Sequence, residues 1–278
     1  MTDRPLAPGL YVAATPIGNL GDVSRRLAET LAGVDVVLCE DTRISGRLLQ
    51  NLGVEARLRP YHDHNGATVR PGILAALKDG AKIALISDAG TPLISDPGYK
   101  LVAEARDQGT DIFSVPGPCA AIAALSIAGV PTDRFSFLGF LPPKQGARQN
   151  ALKAVADRQE TLVFYETGPR LGKMLSDVRD VLGDRPVQVA RELTKLHEEV
   201  TSGMASALAA QYMDAPPKGE IVVVLPPADA PRITDSEVDD LMAEALQTLS
   251  LKDAAASVAD RTGRKKRDLY QAWLDRPR

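Results

Sequence analysis

The sequence predicts an α/β protein of two domains, followed by a small helical module. In residues 10–115, short apolar segments alternate with helical patterns, which indicates a parallel sheet with helices on both faces. Beyond residue 118 the strand-like segments recur in a less regular order, which favours a mixed sheet. The proline-rich segment Pro226–Pro231 is typical of a stiff linker, and three helical patterns follow it. We therefore predict domains at residues 1–117 and 118–227, and a helix-turn-helix-like module at 232–278.

The first predicted domain follows a regular β-α order. Ser24 precedes a helical pattern that ends at Gly33 and is expected to cap it, and Gly53 and Gly80 are expected to end two later helices. Strands are predicted at Leu10–Ala14, Asp35–Cys39, Arg57–Tyr61, Lys82–Ile86 and Asp111–Val115. Helices are predicted at Ser24–Gly33, Ile44–Leu52, Thr68–Lys78 and Tyr99–Gln108.

The second domain and the module complete the predicted order. A small-residue helix, Ala120–Ala128, follows the turn at Pro116–Pro118. Strands are predicted at Phe135–Gly139, Thr161–Tyr165, Val187–Arg191 and Ile221–Leu225, with helices at Gln149–Asp157, Leu171–Leu182 and Met204–Gln211. The module is predicted to contain helices at Asp235–Leu249, Lys252–Thr262 and Lys265–Leu274.

The composition excludes several classes of protein. Two isolated cysteines, Cys39 and Cys119, fit a reducing compartment, and the histidines show no metal-ligand spacing, so we predict neither a disulfide framework nor a metal site. No apolar run is long enough to cross a bilayer and residues 1–8 contain no apolar signal core, so we expect a cytoplasmic protein with no membrane partner. The net charge is −3, so any nucleic-acid contact must come from local basic patches.

Two segments at predicted strand ends carry the chemistry. Thr15–Asp22 contains two glycines and a proline directly after the first strand, and either a tight connection or a ligand-binding turn would explain it. Ser87–Gly98 is a polar loop of twelve residues, longer than a connection needs to be. Its carboxylates and hydroxyls can bind an amine or a ribose, and Gly90 lets a ligand approach the backbone. We therefore predict that this loop binds a ligand.

These segments and others, taken in order, resemble the tetrapyrrole-methylase superfamily, the class III S-adenosylmethionine methyltransferases. Within it, the chain resembles the branch that methylates the ribose 2′-oxygen of a cytidine in small-subunit (16S) ribosomal RNA. The motifs are ATPIGNLGD, CEDTR, YHDHN, SDAGTPLISDPG, VPGPCA, FLGFLPPK, FYETGPR, ARELTKLHEE and KGEIVVVL, spread over nearly the whole chain. One departure is Gly168 in FYETGPR, where a serine or another small residue is expected.

The resemblance implies a cofactor cleft between the two domains, S-adenosylmethionine as the cofactor, and a homodimer. It also implies which residues contact the cofactor. These are Ile17 and Gly18 in the first turn, Asp88, Ala89, Gly90, Thr91 and Ile94 in the long loop, Cys119 and Ala120 after the PGP turn, and Tyr165, Glu166, Gly219 and Glu220 in the second domain.

Methyl transfer to a hydroxyl group also needs a residue that takes up the hydroxyl proton and residues that hold the RNA. CEDTR supplies Asp41 and Arg43, and ARELTKLHEE supplies Arg191 and Glu192. Each could be a base or a phosphate clamp, and each could equally form an ordinary surface ion pair. The sequence assigns no catalytic base, although guanidinium groups favour Arg43 and Arg191 as phosphate or carboxylate holders.

Two basic segments are candidates for RNA binding. Lys144 and Arg148 follow a Pro-Pro pair and are predicted to lie on a mobile surface loop. Residues 261–267 contain five basic residues, among them Arg264, Lys265, Lys266 and Arg267 at a predicted helix start. A solvated helix end would also explain this run. Because the resemblance implies an RNA substrate, we predict that the module binds the 16S rRNA of the small ribosomal subunit.

Two other functions remain to be compared with this one. A methyltransferase of the same superfamily that acts on a corrin or porphyrin precursor would share the fold and cofactor, but it would not need the basic module or the EDTR and YHDHN segments. A non-catalytic RNA-binding protein would not need intact cofactor loops. Methyl-transfer assays on small ribosomal subunits and on tetrapyrrole precursors would distinguish the three.

Overall fold

The computed structural model describes residues 5–227 and 235–275. The chain forms two compact units, residues 1–227 and 228–278. The first unit contains two five-stranded sheets, and the second contains helices. The predicted boundary between residues 117 and 118 falls inside the first unit and stays a prediction. Of the predicted linker, Pro226 and Pro227 lie in the first unit, whereas residues 228–231 lie outside the described residues.

The first sheet is parallel, with strand order β3-β2-β4-β1-β5. Its strands are β1 (Gly9–Ala13), β2 (Val36–Cys39), β3 (Leu58–Pro60), β4 (Lys82–Leu85) and β5 (Ile112–Val115). Its helices are α1 (Arg25–Gly33), α2 (Thr42–Leu52), α3 (Gly66–Lys78) and α4 (Tyr99–Asp107), and a short 3-10 turn spans Leu20–Asp22. These positions confirm the predicted β-α order.

Alternation along these strands builds a core on each face of the sheet. Leu10 packs with Leu38 and residues of α3 and α4, whereas its neighbour Tyr11 packs with Val37 and residues of α1 and α2. The predicted cap of α1 is present, because the Ser24 side chain accepts a hydrogen bond from the backbone N–H of Leu27 at 3.0 Å. Gly53 ends α2 in the left-handed conformation.

The second sheet is mixed, as predicted, with strand order β6-β7-β10-β8-β9. Only the pair of β6 (Phe135–Phe140) and β7 (Thr161–Thr167) is parallel. The antiparallel strands are β8 (Pro186–Arg191), β9 (Glu199–Met204) and β10 (Glu220–Leu225). Helix α5 (Ala120–Ile127) packs on one face, and α6 (Gln145–Lys153), α7 (Gly168–Leu182) and α8 (Ala205–Asp214) pack on the other.

Two sequence predictions for the second sheet are wrong. Strand β9 was not predicted, because it lies at the edge of the sheet, all its residues are exposed or half-buried, and no apolar run marks it. Residues 144–148 do not form a mobile loop. Helix α6 begins at Gln145 because Arg148 and Leu152 are both buried on its inner face.

The second unit contains α9 (Asp235–Ala245), α10 (Leu251–Thr262) and α11 (Lys266–Leu274). Val238, Met242, Ala255, Val258 and Leu269 belong to its small apolar core. Gly263 ends α10 in the left-handed conformation and turns the chain into α11, as the helix-turn-helix pattern predicted. None of the helices in the described ranges has the length and apolar character needed to cross a membrane.

Candidate active site

A cleft of about 300 Å³ lies between the carboxyl end of the first sheet and the second sheet, and is called here the inter-sheet cleft. The connections of the first sheet contribute Ile17, residues 88–91 and residues 94–96, and α5, which packs on the second sheet, contributes Ala120. The second sheet contributes Phe140, residues 165–167, Leu193 and residues 219–222. The volume is at the lower end of the range of small-molecule sites. Its position matches the place where open α/β sheets bind ligands.

The loop of residues 86–98, between β4 and α4, forms the wall on the first-sheet side. Its backbone is fixed to the turn after β1, because Thr15 and Gly90 exchange backbone hydrogen bonds of 2.9 and 3.2 Å. The Thr91 hydroxyl donates to the carbonyl of Pro118 at 3.0 Å, which ties the loop to the turn before α5. The connections that follow β1, β4 and β5 are thus held together at the cleft.

This loop is locally strained. Leu93 and Ser95 have φ angles of 73° and 66°, a conformation that side chains with a Cβ adopt at a cost. Gly90 has a φ angle of 78°, and a Cβ placed on it would lie 3.2 Å from Cγ2 of Ile17. Strained residues that are held in place by their surroundings are concentrated at functional sites.

Carboxylates line the cleft from both sides. Asp88 accepts a hydrogen bond from the backbone N–H of Asp41 at 3.0 Å, and its pKa is raised by burial. The pKa of Asp96 is raised to about 6 by burial and by the nearby charges of Glu40 and Asp88. On the opposite side, burial also raises the pKa of Glu166. Of the acidic residues that line the cleft, Glu166 pairs with Arg170 and Glu220 pairs with Lys195. Asp88 and Asp96 therefore give the cleft its charge suited to a cationic ligand.

Glu166 is the most buried of these carboxylates, at 2% exposure. Its Oε1 accepts the backbone N–H of Thr167 at 2.8 Å and pairs with Arg170 Nε at 3.1 Å. Its Oε2 has no hydrogen-bond partner among the described residues. The side chain is fully buried, so this carboxylate lies behind the cleft wall rather than on its surface.

Tyr165 forms the aromatic part of the cleft wall. Its ring packs edge-on against Phe137 and Phe140, with centroids 4.8 and 5.6 Å apart. Its hydroxyl accepts the backbone N–H of Ala121 at 3.2 Å, and burial and the Cys119 thiol raise its pKa. The ring is therefore fixed in position before any ligand binds.

All the predicted cofactor residues line the inter-sheet cleft except Gly18 and Cys119. Gly18 is covered by Lys195, whose Cε would lie 2.5 Å from a Cβ at that position. Cys119 precedes α5 and its thiol lies beside Tyr165, behind the wall. Whether the lining residues bind a cofactor stays a prediction.

Several lining residues were not among those that the resemblance implied. Asp96 and Ser95 lie in the loop that the sequence had singled out, so their position in the motif was the available signal. The remaining ones are Phe140, Thr167, Leu193, Ile221 and Val222, on the second sheet. Each of them lies in one of the motifs that carry the resemblance, and this was the available signal, because the residue pattern of a mixed sheet does not indicate which strand ends meet.

The proposed acceptor-side residues Asp41 and Arg43 lie at the start of α2, next to the cleft rather than in it. Asp41 caps α2 by accepting the backbone N–H of Arg43 at 2.8 Å, and its Oδ1 also accepts Arg43 Nε at 3.0 Å. The Arg43 contacts lower the pKa of Asp41 to about 2, so this carboxylate is ionised at neutral pH. The side chain of Arg43 is 85% exposed.

Arg191 and Glu192 lie at the end of β8, on the opposite sheet. Glu192 Oε1 accepts Lys195 Nζ at 2.9 Å and the backbone N–H of Glu220 at 3.1 Å. Lys195 lowers the pKa of Glu192 and also contacts Glu220 Oε2 at 2.9 Å. Arg191 pairs with Glu199 at 2.8 Å. These residues hold Glu220, and therefore one wall of the cleft, in place.

The two candidates for RNA binding near α6 differ sharply. Lys144 is exposed at the start of the helix. Arg148 is only 4% exposed and pairs with the buried Asp177, its Nε lying 2.6 Å from Oδ2. Gln145 and Gln149 also donate to Asp177. The prediction that Arg148 faces an RNA is therefore wrong, because the side chain balances a buried charge.

In the second unit the basic run lies on the surface. Arg264, Lys265, Lys266 and Arg267 are all exposed, and Arg264 pairs with Asp235 at 2.7 Å. No group of His, Cys, Asp and Glu within residues 5–227 and 235–275 is arranged to hold a metal ion.

Comparison with known proteins identifies the family. Residues 9–209 match the family model of the tetrapyrrole (corrin/porphyrin) methylases, and residues 233–276 match that of the RsmI C-terminal HTH domain. The ribosomal RNA small subunit methyltransferase I of Erythrobacter litoralis is 52% identical over 274 residues, which cover 98% of this chain and 96% of that protein. The protein of the same name from Escherichia coli O157:H7 is 46% identical, over 96% of this chain and 94% of its own length.

Solved structures support the fold. The uroporphyrin-III-C-methyltransferase from Thermus thermophilus superposes with a TM-score of 0.56 at 19% identity, covering 78% of this chain and 94% of that one. The methyltransferase CobJ superposes with a TM-score of 0.59 at 17% identity, covering 81% and 97%. The chain therefore belongs to the tetrapyrrole (corrin/porphyrin) methylase family and, within it, to the ribosomal RNA small subunit methyltransferase I family.

Proposed function

We propose that the chain is a methyltransferase that uses S-adenosylmethionine and methylates the ribose 2′-oxygen of a cytidine in 16S ribosomal RNA. The observation that carries the proposal is the inter-sheet cleft, which combines carboxylates with apolar walls, in a chain that matches its rRNA-methylating relatives from end to end. Those relatives share the helical module as well as the catalytic fold, which favours an RNA substrate over a tetrapyrrole.

The residues of the cleft fit this cofactor. Asp88 and Asp96 can accept hydrogen bonds from an amine or a ribose hydroxyl, and their charge complements a cation. Ile17, Leu193 and Val222 offer apolar surface to a purine ring. When bound, S-adenosylmethionine would supply an electrophilic methyl group on a sulfonium.

The protein's own contribution is then orientation and proton removal. The Thr15–Gly90 and Thr91–Pro118 hydrogen bonds fix the loop, so the loop need not reorganise during the reaction. A neighbouring cation lowers the pKa of Asp41 and of Glu192, which keeps each carboxylate ionised but makes it a weaker base, and each adjoins a lining residue, Asp88 or Glu220. They remain the proposed residues that receive the hydroxyl proton. Arg43 and Arg191 are the proposed phosphate holders beside them.

The proposal also includes the RNA contacts and the assembly. Lys144 on the first unit and Arg264, Lys265, Lys266 and Arg267 on the second are the proposed phosphate contacts, and Arg148 is not among them. Phosphate contacts of this kind release counterions, so binding should weaken as salt is raised. A homodimer and a cytoplasmic location, where the small ribosomal subunit is found, complete the proposal.

A methyl-transfer assay with several acceptors tests the proposal. The purified chain would be incubated with methyl-labelled S-adenosylmethionine and either small ribosomal subunits, free 16S rRNA or a porphyrin precursor. We expect label in the rRNA, supplied as subunits or as free RNA, and none in the porphyrin. An Asp88→Asn variant keeps the shape of the cleft but removes one of its charges, and we expect it to transfer the methyl group more slowly. Label in the porphyrin alone would refute the RNA assignment.

A further inference from the structure

A groove of about 430 Å³ opens on the surface of the second unit, where α10 and α11 meet. It is lined by Lys252 near the start of α10, by Lys266 and Arg267 at the start of α11, and by Tyr270 one turn further on. The three cationic side chains are exposed, whereas Tyr270 is half-buried and packs against the apolar core of the module. The groove therefore has an aromatic floor and a cationic rim.

Among the described residues, no ion pair neutralises the cations at this rim. Within residues 235–275, no carboxylate forms an ion pair with Lys252, Lys266 or Arg267, whereas Arg264 next to them pairs with Asp235 at 2.7 Å. Lys266 and Arg267 also begin a helix whose first N–H groups receive no side-chain cap. Positive charges at a helix N-terminus oppose the helix dipole, so an anion bound there would relieve both unfavourable terms.

The spacing places the aromatic ring one turn beyond the two cations of α11, on the same face of the helix. Lys266 and Tyr270 are four residues apart on α11, and Arg267 and Tyr270 are three apart, so all three share one face of the helix. Lys252 approaches from the neighbouring helix. Proteins bind single-stranded nucleic acid with cationic side chains that contact the phosphate backbone and with aromatic side chains on which the bases stack.

We propose that this groove binds one unpaired nucleotide of RNA, with its base on the ring of Tyr270 and its flanking phosphates on Lys252, Lys266 and Arg267. A base within a duplex is already stacked on its neighbours and cannot reach the ring, so the groove selects single-stranded RNA. The inference rests on the proposed function for its RNA substrate. It adds a specific site, and it adds Lys252 and Tyr270, which lie outside the basic run.

Binding of a labelled single-stranded oligoribonucleotide of about twelve nucleotides to the full chain tests the ring. Fluorescence anisotropy would compare Tyr270→Leu, which keeps an apolar contact with the core, and Tyr270→Phe, which keeps the ring. We expect Tyr270→Leu to bind about five- to hundredfold more weakly and Tyr270→Phe to bind like the natural chain. Thermal unfolding of each variant would show whether the module is intact.

A matched pair of arginines tests the rim. Arg267 lines the groove, whereas Arg261 is equally exposed on the same unit but lies outside it. We expect Arg267→Ala to weaken binding and to reduce the salt dependence by about 0.7 in slope, and Arg261→Ala to change both less. Three results would each overturn the proposal. The two arginine substitutions could weaken RNA binding equally, the two Tyr270 variants could bind RNA equally well, or a duplex of the same length could bind more tightly than the single strand.

The same variants separate this inference from the proposed function. If every groove variant binds RNA as the natural chain does and the chain methylates small ribosomal subunits, the groove proposal is refuted and the enzyme assignment stands. Binding through the groove in a chain that transfers no methyl group to RNA would refute the enzyme assignment and support the groove.

Discussion

Replacing Gly90 by leucine should abolish cofactor binding while the fold persists. Gly90 has a φ angle of 78°, and the new Cβ would lie 3.2 Å from Cγ2 of Ile17 and 3.7 Å from the carbonyl of Pro118. The left-handed backbone costs a leucine about 1–2 kcal/mol, which lowers the melting temperature by roughly 2–8 °C for a unit of this size. Gly109, at φ 76° with nothing within 4 Å of its Cβ position, is the matched control.

The two substitutions separate backbone strain from loss of the site. Gly109→Leu should lower the melting temperature by a similar amount and leave binding unchanged. Gly90→Leu adds four carbons beside Ile17 in a cleft of about 300 Å³, so we expect affinity for S-adenosylmethionine to fall at least hundredfold, or about 2.7 kcal/mol. Calorimetric titration with S-adenosylmethionine and S-adenosylhomocysteine measures this. Unchanged affinity in Gly90→Leu would show that the cofactor does not occupy this cleft.

Three further substitutions test the structure. Arg148→Ala leaves the buried carboxylate of Asp177 unpaired and should destabilise the first unit by about 3–5 kcal/mol in urea unfolding. The control is Arg179→Ala, which removes an exposed ion pair and should cost about 0–1 kcal/mol. Equal losses of stability in the two variants would contradict the buried pairing. Burial raises the pKa of Asp96 to about 6, so the folded chain loses stability as pH rises from about 4 through 6. Because the side chain is partly exposed, solvent screening reduces the effect, and Asp96→Asn should be more stable at pH 8 by on the order of 2 kcal/mol, with no difference near pH 4. A gain independent of pH would contradict this cause. Gly168→Ala should weaken cofactor binding, because its Cβ position lies 1.5 Å from the backbone carbonyl oxygen of Pro217, next to the cleft wall. Gly146→Ala should leave binding unchanged, because nothing lies within 4 Å of its Cβ position. Equal affinities of the two variants would show that the wall adapts.

The first sheet could be predicted well because its signals are local. Ser24 before an amphipathic run and Gly53 after another determine helix ends through single hydrogen bonds and one backbone angle. The loop of residues 87–98 was identifiable because the carboxyl ends of parallel strands meet at one edge, so polar residues placed there converge. Asp88 and Gly90 were therefore expected in the cleft, and they line it.

The second sheet could be predicted less completely because its contacts depend on which strands pair. Strand β9 carries no apolar run, and Phe140 and Leu193 reach the cleft only through the order β6-β7-β10-β8-β9. Arg148 shows the same limit: its basic neighbours favoured a surface loop, but a buried Asp177 from another helix determines its position. The departure at Gly168 has a local reason, since the carbonyl of Pro217 occupies the place of a Cβ.

The identity of the methylated nucleoside tests the central claim most directly. Small ribosomal subunits that lack the modification would be incubated with the chain and methyl-labelled S-adenosylmethionine, and the rRNA would be digested to nucleosides for mass spectrometry. The proposed function predicts that the label appears in 2′-O-methylcytidine. Label found only on a base, or no label in RNA while a tetrapyrrole precursor is methylated, would contradict it.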